Sequence, residues 1–166
     1  MKKLYLHSFR TSLGQVRTAA TERGLAIVAL PGESERSFEG RIKKHFAACE
    51  LCRGGKINEA AKRQIIGYLE GKLRRFSLKL DIHATAFQKR VLRQVAGIPY
   101  GRTMTYGEIA RAIGNPKAFR AVGSANASNI LPLVIPCHRV VASNGLGGYG
   151  GGLHLKKRLL RMEGAL

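Results

Sequence analysis

The stretch Thr105–Ala127 reads TYGEIARAIGNPKAFRAVGSANA and predicts two short helices joined by a tight turn. Thr105-Tyr106-Gly107-Glu108 has the spacing of a capping box, so the first helix begins there and ends at Gly114. Asn115-Pro116 supplies an N-cap followed by a proline at the first helical position, which predicts a second helix from Lys117 to about Ala127. Two helices connected in this way are typical of a helix-turn-helix.

The second of these helices carries few side chains larger than a methyl group. Phe119 and Val122 are its expected core anchors, and Lys117, Arg120 and Asn126 are its main long polar residues. A helix that reads bases in the major groove usually carries more such side chains. A slim helix instead suits close approach to a nucleic-acid backbone or a minor groove, with one long side chain projecting. Tight packing against a neighbouring helix is the alternative interpretation.

Local signals on both sides extend this helical region. Upstream, Thr85-Ala86-Phe87-Gln88 is a second capping box and predicts a helix that ends at Gly97. Downstream, the apolar run Leu131–Ile135 predicts a strand that ends in a turn stiffened by Pro136. The turn would hold Cys137 at the rim of the fold, ahead of a glycine-rich loop at residues 145–152.

Cys137 is followed directly by a base and a cation, His138 and Arg139. A thiol is a nucleophile only as its thiolate, so a reactive cysteine needs such groups nearby. Adjacent side chains point apart, and a relay between Cys137 and His138 therefore needs an irregular turn or a bridging water. Glu108 and Glu163 are the only acidic residues in the second half of the chain, and either could orient the imidazole. The alternative is a small cysteine buried in the core.

The charge balance is strongly basic, with 29 Lys and Arg against 10 Asp and Glu and a net charge of +19. Such a surface favours a polyanionic partner, because neutralised phosphates release condensed counterions. A solvated basic surface without a partner is the alternative.

Three cysteines form an odd set, and no apolar run resembles a signal peptide or a membrane span. We therefore expect a cytoplasmic protein with free thiols.

The N-terminal residues predict strands followed by helices. Alternating apolar and polar positions around Ser12-Leu13-Gly14 and Glu22-Arg23-Gly24 indicate a hairpin or short antiparallel sheet. Apolar residues then recur at helical spacing from Phe38 to Cys49, which makes Cys49 a core residue of an amphipathic helix. A second helix is expected to begin with Asn58 as its cap and to end at Gly71.

Several ordered motifs in residues 83–166 resemble those of the O⁶-alkylguanine-DNA alkyltransferases, also called methylated-DNA–protein-cysteine methyltransferases. The motifs are Tyr106–Ala110, Arg120–Gly123, Asn129, Pro136–Val140, Gly147–Leu153, Leu159-Leu160 and Glu163-Gly164. The resemblance implies an α/β (α+β) fold. It places a ribonuclease-H-like α/β domain at residues 1–76, a linker at 77–84, and a mainly helical domain at 85–166 with the helix-turn-helix and the active-site cysteine.

Members of this family repair DNA by transferring the alkyl group of O⁶-alkylguanine, mainly O⁶-methylguanine, irreversibly to a cysteine. They bind double-stranded DNA from the minor groove and flip the damaged base out of the helix. The resemblance therefore implies a single-turnover enzyme that needs no cofactor or metal and that works on DNA as a cytoplasmic monomer. Cooperative binding to DNA is left open.

The same resemblance assigns roles to individual residues. Cys137 accepts the alkyl group, with His138 as its base through a water, and Glu163 orients His138. Asn129 braces the turn that holds the cysteine, and Tyr106 protonates the leaving guanine. Arg120 fills the gap left by the flipped base. The residues expected to bind the DNA or the flipped base are Arg120, Ala118, Ala121, Gly123, Ala127, Tyr149, Gly150, Val140 and Ser143.

Other interpretations accompany this one. Cys49-x-x-Cys52, with His45 and His83, invites a structural zinc, although core or surface thiols are preferred. Lys156-Lys157-Arg158 is expected to form a solvated helix face.

A lesion-binding module of the alkyltransferase-like type is the first rival function, and Cys137 argues against it because those proteins lack the acceptor cysteine. A Cys-His-Glu hydrolase is the second, but it would need neither the helix-turn-helix nor the charge.

Overall fold

The computed structural model describes all 166 residues, which form two compact units, Met1–His83 and Ala84–Leu166. The first unit combines a sheet with helices and the second is mainly helical, so the predicted fold class is confirmed. Neither unit contains a helix with the length and hydropathy of a membrane span.

A mixed sheet of four strands lies in the first unit, in the order β3-β2-β1-β4. The strands are β1 (Lys3–Thr11), β2 (Gly14–Ala20), β3 (Leu25–Ala29) and β4 (Glu50–Arg53). The first three strands are antiparallel, which confirms the predicted hairpins, whereas β4 runs parallel to β1. Strand β3 is buried along its whole length, so its residues form a continuous apolar run. The ribonuclease-H-like description of this domain stays a prediction.

Two helices, α1 (Glu35–Phe46) and α2 (Lys56–Leu69), belong to the same unit. The expectation that Cys49 is a core residue of the first helix is wrong, because α1 ends at Phe46. Cys49 lies half-buried in the turn that follows, where its amide donates to the Phe46 carbonyl (3.0 Å). The next residue already pairs with β1, since the Glu50 amide donates to the Lys2 carbonyl (2.8 Å). The chain therefore leaves the helix before Cys49 in order to pair with β1, although the helical spacing of apolar residues continues to Cys49.

The sequence predicted Asn58 as the N-cap of α2, and this prediction is wrong. Asn58 lies inside the first turn of the helix, which begins at Lys56. The residue is buried, and its Nδ2 donates to the carbonyls of Tyr5 (2.8 Å) and Gly54 (2.7 Å). The amide thus joins the start of α2 to strand β1. A polar residue that satisfies neighbouring backbone carbonyls can occupy a buried helical position without serving as a cap.

Part of the segment predicted as a linker, residues 77–84, packs on the sheet of the first unit. The amide and carbonyl of Leu25 form hydrogen bonds with residues 79 and 81 (2.8 and 2.9 Å). Burial alone would raise the pKa of Asp81, but its partners hold that pKa below its ordinary value. These partners are Thr21, His83 and Arg23. The compact unit accordingly extends to His83.

The second unit contains four helices and a short pair of strands. The helices are α3 (Ala86–Ala96), α4 (Tyr106–Ala112), α5 (Phe119–Ala127) and α6 (Leu153–Met162). Both predicted capping boxes are present, at the starts of α3 and α4. Helix α5 begins later than predicted, because Asn115–Ala118 forms a separate turn in which the Ala118 amide donates to the Asn115 carbonyl (3.0 Å).

The interpretation of Phe119 as a core anchor of the second helix is wrong. Phe119 is 50% exposed, whereas Val122 is fully buried. The buried face of α5 consists of Val122, Ala125 and Asn126. Phe119 is the first residue of the helix and lies at the margin of that face, so its ring is partly in solvent.

The predicted strand at Leu131–Ile135 is also wrong, because this run forms a tight turn. The Ile135 amide donates to the Leu131 carbonyl (2.9 Å), and Leu133 has a φ of 71°, the only positive value outside glycine. Proline at positions 132 and 136 cannot donate to a sheet ladder, which favours the turn. Although the run is not a strand, Leu131, Leu133 and Ile135 are buried, and this explains why it is apolar.

The short strands β5 (Met104–Thr105) and β6 (Val140–Val141) pair in parallel. Thr105 lies opposite Val141 in this pair, so the start of α4 lies next to the residues that follow Cys137.

Candidate active site

Pro136 forms the backbone turn that presents Cys137. Its φ of −79° and ψ of 65° make it the central residue of an inverse γ-turn, closed by a hydrogen bond from the Cys137 amide to the Ile135 carbonyl (2.8 Å). Cys137–Arg139 then form a single 3₁₀ turn. Cys137 is 6% exposed. This is the irregular geometry that a relay between adjacent Cys and His side chains requires.

Two asparagines hold this turn from its buried side. Asn129 Nδ2 donates to the Ile135 carbonyl (2.9 Å), and its Oδ1 accepts from the Leu131 amide (3.0 Å). Asn126 Nδ2 donates to the Cys137 carbonyl (3.3 Å). The structure therefore places Asn129 where a brace for the cysteine turn is expected, and it adds Asn126.

His138, Arg139 and Glu163 form a buried cluster around one carboxylate. His138 Nε2 lies 2.9 Å from Glu163 Oε2, and neither side chain is exposed. Arg139 donates to both carboxylate oxygens (2.8 and 2.9 Å) and, through Nη1, to the Ile98 carbonyl (2.7 Å). Of the two glutamates that the residues alone left open, Glu163 is thus the partner of His138. Glu108 instead accepts from the Thr105 amide in its capping box (2.7 Å).

Lys156 lies inside this site, which corrects its expected place on a solvated helix face. The residue is fully buried, and its Nζ donates to the carbonyls of Val140 (2.6 Å) and Gly148 (3.0 Å). It therefore ties the strand after Cys137 to the glycine-rich loop. Burial lowers the pKa of Lys156 to about 8, because the charged form loses its hydration.

The burial of Cys137 and His138 determines their resting protonation. Burial raises the pKa of the Cys137 thiol, although Asn129 and the charge of Lys156 oppose the shift. Burial lowers the pKa of His138, while Glu163 opposes this change. At neutral pH the pair is consequently a thiol and a neutral imidazole. Because a carboxylate only accepts hydrogen bonds, the imidazole carries its proton on Nε2, and Nδ1 is its basic nitrogen.

Tyr106 lies between two glycines that come from different parts of the unit. A Cβ on Gly123 would lie 3.8 Å from the Tyr106 ring, and one on Gly147 would lie 2.6 Å from its Oη. Gly147 also has a φ of +70°, which favours glycine. The missing side chain at Gly147 therefore leaves the space that the Tyr106 hydroxyl occupies, whereas a Cβ at Gly123 would only make an ordinary contact with the ring.

The remaining expected pocket residues differ in their surroundings. The Tyr149 ring lies edge-on to His138, 6.4 Å between centroids, and burial raises the pKa of its hydroxyl well above the ordinary value. The Val140 carbonyl, expected to line the base pocket, accepts from Lys156. Ser143 and Gly150 are exposed. The structure thus brings Tyr149 and Val140 next to the Cys137 turn and leaves the other two on the surface.

Helix α5 presents a narrow exposed surface. Arg120, Ala121 and Ala127 are exposed, while Ala118 and Gly123 are half-buried. Asn126, which the sequence grouped with the projecting polar residues, is 6% exposed and points inward to Cys137. One long charged side chain, Arg120, therefore projects from the helix proper.

The residues considered for zinc do not form a metal site. No group of three or more His, Cys, Asp or Glu could hold a metal ion. Cys49 and Cys52 are half-buried free thiols, and the rings of His45 and His83 lie 6.4 Å apart, with Phe46 against His83.

Sequence reasoning missed the roles of Asn126 and Lys156, although a signal for both was present. Asn126 recurs with Val122 at a spacing of four residues, and Lys156 precedes Leu159 and Leu160 by three and four. Such spacing places a residue on the buried face of a helix. A polar residue on that face implies backbone groups that it must satisfy.

Comparison with known proteins points to one family over both units. A family model described as 6-O-methylguanine DNA methyltransferase, DNA binding domain, matches residues 86–165. The chain is 40% identical to the methylated-DNA–protein-cysteine methyltransferase of Methanosarcina acetivorans over 98% of this chain and 99% of that protein. It is 50% identical to the corresponding protein of Mycolicibacterium paratuberculosis over 62% of this chain and 63% of that protein.

Solved structures agree with these sequences. The Mycobacterium tuberculosis OGT in complex with DNA matches with a TM-score of 0.82 at 33% identity, covering 97% of this chain and 93% of that chain. The O6-methylguanine-DNA methyltransferase of Pyrococcus kodakaraensis strain KOD1 matches with a TM-score of 0.68 at 28% identity, covering 97% and 99%.

Replacing Glu163 by glutamine is expected to destabilise the protein by about 3–5 kcal/mol, because it leaves a buried arginine without its countercharge. The measurement is the free energy of unfolding in urea. Glu108→Gln is the matched control, since glutamine also satisfies a capping box, and we expect almost no change. Equal stabilities of the two variants would contradict the importance assigned to the cluster.

Proposed function

The chain belongs to the methylated-DNA–protein-cysteine methyltransferase family, and we propose that it repairs O⁶-alkylguanine in double-stranded DNA by transferring the alkyl group to Cys137. The resemblance indicated by the sequence motifs is thereby confirmed. The observation that carries the proposal is Cys137 on a proline turn, beside a buried His138 that is hydrogen-bonded to Glu163 (2.9 Å). We further propose that the protein acts in the cytoplasm as a monomer, and that residues 85–166 carry both DNA binding and transfer.

The nucleophile is formed at the moment of attack. The resting thiol of Cys137 gives its proton, through a water, to Nδ1 of His138, and Glu163 stabilises the resulting imidazolium. The sulfur then forms a bond to the alkyl carbon while the bond from that carbon to guanine O⁶ breaks. Lys156 and Asn129 favour the thiolate, since both act to lower the pKa of Cys137.

The departing guanine takes the electron pair of the broken bond. A proton from the Tyr106 hydroxyl neutralises this charge and makes guanine a better leaving group. The product at Cys137 is a thioether, which no neighbouring residue of the site can hydrolyse. The protein therefore acts once per molecule, and it needs no cofactor in this scheme.

DNA binding follows from charge and from the shape of α5. Residues 83–166 carry 12 Lys and Arg and 2 acidic residues, and both carboxylates accept hydrogen bonds within the protein. Only one of the two carboxylates, that of Glu108, is exposed, so phosphates meet a surface that is almost entirely basic. The narrow exposed surface of α5 supports close approach to the minor groove, where Arg120 would replace the flipped base. Ala118, Ala121, Gly123 and Ala127 would border the groove.

The first test is the intact mass of the protein after incubation with duplex DNA that carries one O⁶-methylguanine. We expect a gain of one methyl group per protein, mapped to Cys137. Cys137→Ser is expected to abolish transfer but to keep lesion binding, and Cys49→Ser, the control, is expected to transfer normally. Unchanged mass with tight lesion binding would instead support a non-catalytic recognition module.

Arg120→Ala is expected to slow repair in duplex DNA by about tenfold or more, because unstacking a base costs a few kcal/mol. Its reaction with free O⁶-benzylguanine should be nearly unchanged, since a free base needs no flipping. Single-turnover rates measure both. Arg158→Ala removes the same charge from an exposed position on α6 and serves as the control. Equal slowing of both reactions by Arg120→Ala would remove the base-replacing role.

Gly147→Ala is expected to slow transfer about 100-fold, the range of a displaced general acid. The new methyl group would lie 2.6 Å from the Tyr106 hydroxyl and force it to move. Both duplex and free-base reactions should slow, because each releases guanine. Gly145→Ala, with no atom within 4 Å and no positive φ, is the control. Similar rates for the two variants would argue against Tyr106 as the proton donor.

A further inference from the structure

Phe119 is one of few large apolar residues that the fold leaves exposed. The exposed large apolar residues are Met1, Leu51, Phe119, Leu153 and Leu166. Two of these are the chain ends, Leu51 lies on the edge strand β4 of the other unit, and Leu153 begins α6 after the glycine-rich loop. Phe119 instead begins α5, directly before Arg120, and is 50% exposed. Its ring therefore lies at the start of the helix proposed to approach DNA.

Helical spacing places Phe119 on the side of α5 that faces Tyr106. Phe119 and Gly123 are four residues apart, so they lie on the same side, one turn from each other. A Cβ on Gly123 would lie 3.8 Å from the Tyr106 ring. Phe119 is accordingly one helical turn from Gly123, the position that faces the proposed proton donor, while Arg120 projects from the neighbouring side.

The other exposed positions of α5 carry small side chains: Ala121, Ser124 and Ala127. A duplex that approaches this helix within the minor groove meets two larger side chains, Phe119 and Arg120. The guanidinium can donate hydrogen bonds to phosphates or base edges, whereas a phenyl ring has no donor and no charge. What an aromatic ring can contact there is the apolar face of a base or a deoxyribose.

A flipped nucleotide creates such an apolar surface. When the damaged guanine leaves the stack, each neighbouring base loses a stacking partner on one face. We propose that Phe119 lies against the base next to the flipped nucleotide and thereby stabilises the open duplex, with Arg120 occupying the gap itself. The inference rests on the proposed function, and it makes Phe119 a positioning residue for the flipped state.

A single tryptophan can report this contact directly, because the natural chain contains none. The Phe119→Trp substitution is made in the Cys137→Ser background, so that the lesion persists during the measurement. Duplex DNA with one O⁶-methylguanine is expected to quench tryptophan emission, since bases that stack on indole quench it. Leu51→Trp in the same background is the matched control, from an equally exposed apolar position on β4, and should keep its emission. Unchanged emission of Phe119→Trp at saturating DNA would overturn the proposal.

The second measurement compares repair rates of Phe119→Ala and Leu51→Ala. Phe119→Ala is expected to slow duplex repair by about tenfold, the lower range for loss of one base–aromatic stack. Its reaction with free O⁶-benzylguanine should be unchanged. The loss should also be the same at low and high salt, because an apolar contact releases no counterions. Leu51→Ala should behave as the natural protein.

The outcomes separate this inference from the proposed function. A natural protein that binds duplex DNA without accepting the methyl group would overturn the proposed function, while the quenching experiment would still test the contact of Phe119. Normal duplex repair by Phe119→Ala would overturn the inference alone. Equal loss in the duplex and free-base reactions would also overturn it, since that result indicates a disturbed active site and not a DNA contact.

Discussion

The buried carboxylate of Glu163 is the interaction on which the active-site unit depends. It follows α6, and it binds both His138 and Arg139 of the 3₁₀ turn that begins at Cys137. Arg139 extends the same cluster to the Ile98 carbonyl, after α3. The cluster around this carboxylate thus joins three segments that are distant in sequence. Buried ion pairs add little net stability, because desolvation offsets their attraction, but their geometry is strict. Here that geometry orients the imidazole and keeps its proton on Nε2.

Around this cluster, side chains replace regular secondary structure as partners of the backbone. The Cys137 turn and the glycine-rich loop have few ladder hydrogen bonds, and buried backbone groups still need partners. Asn129, Asn126 and Lys156 supply them. The same burial keeps Cys137 protonated at rest. A thiol is far less reactive than a thiolate, so the same burial limits the oxidation of Cys137 at rest.

Local signals predicted the helices well and the orientation of single residues less well. The capping boxes at Thr85 and Thr105 are present in the structure, because such a pattern depends only on residues within one turn. Phe119, Asn126 and Lys156 were assigned to the wrong environment. In each case residue type suggested one environment, and packing produced the other: the phenylalanine is exposed, whereas the asparagine and the lysine are buried. All three lie at or near the proposed site, where function and packing compete.

The sequence alone determined the family, the helix-turn-helix and the candidate pair Cys137-His138, because these depend on short motifs and on neighbouring residues. It left two glutamates as partners for His138, and it predicted a strand where Leu131–Ile135 forms a turn. Only the tertiary structure decided these points. Whether a carboxylate reaches an imidazole depends on where the helix α6 packs, and whether an apolar run is strand or turn depends on the partners of its backbone. His138 and Glu163 are 25 residues apart, so no local pattern contains their contact. For the turn, the prolines at 132 and 136 were a local signal, but the apolar run suggested a strand more strongly.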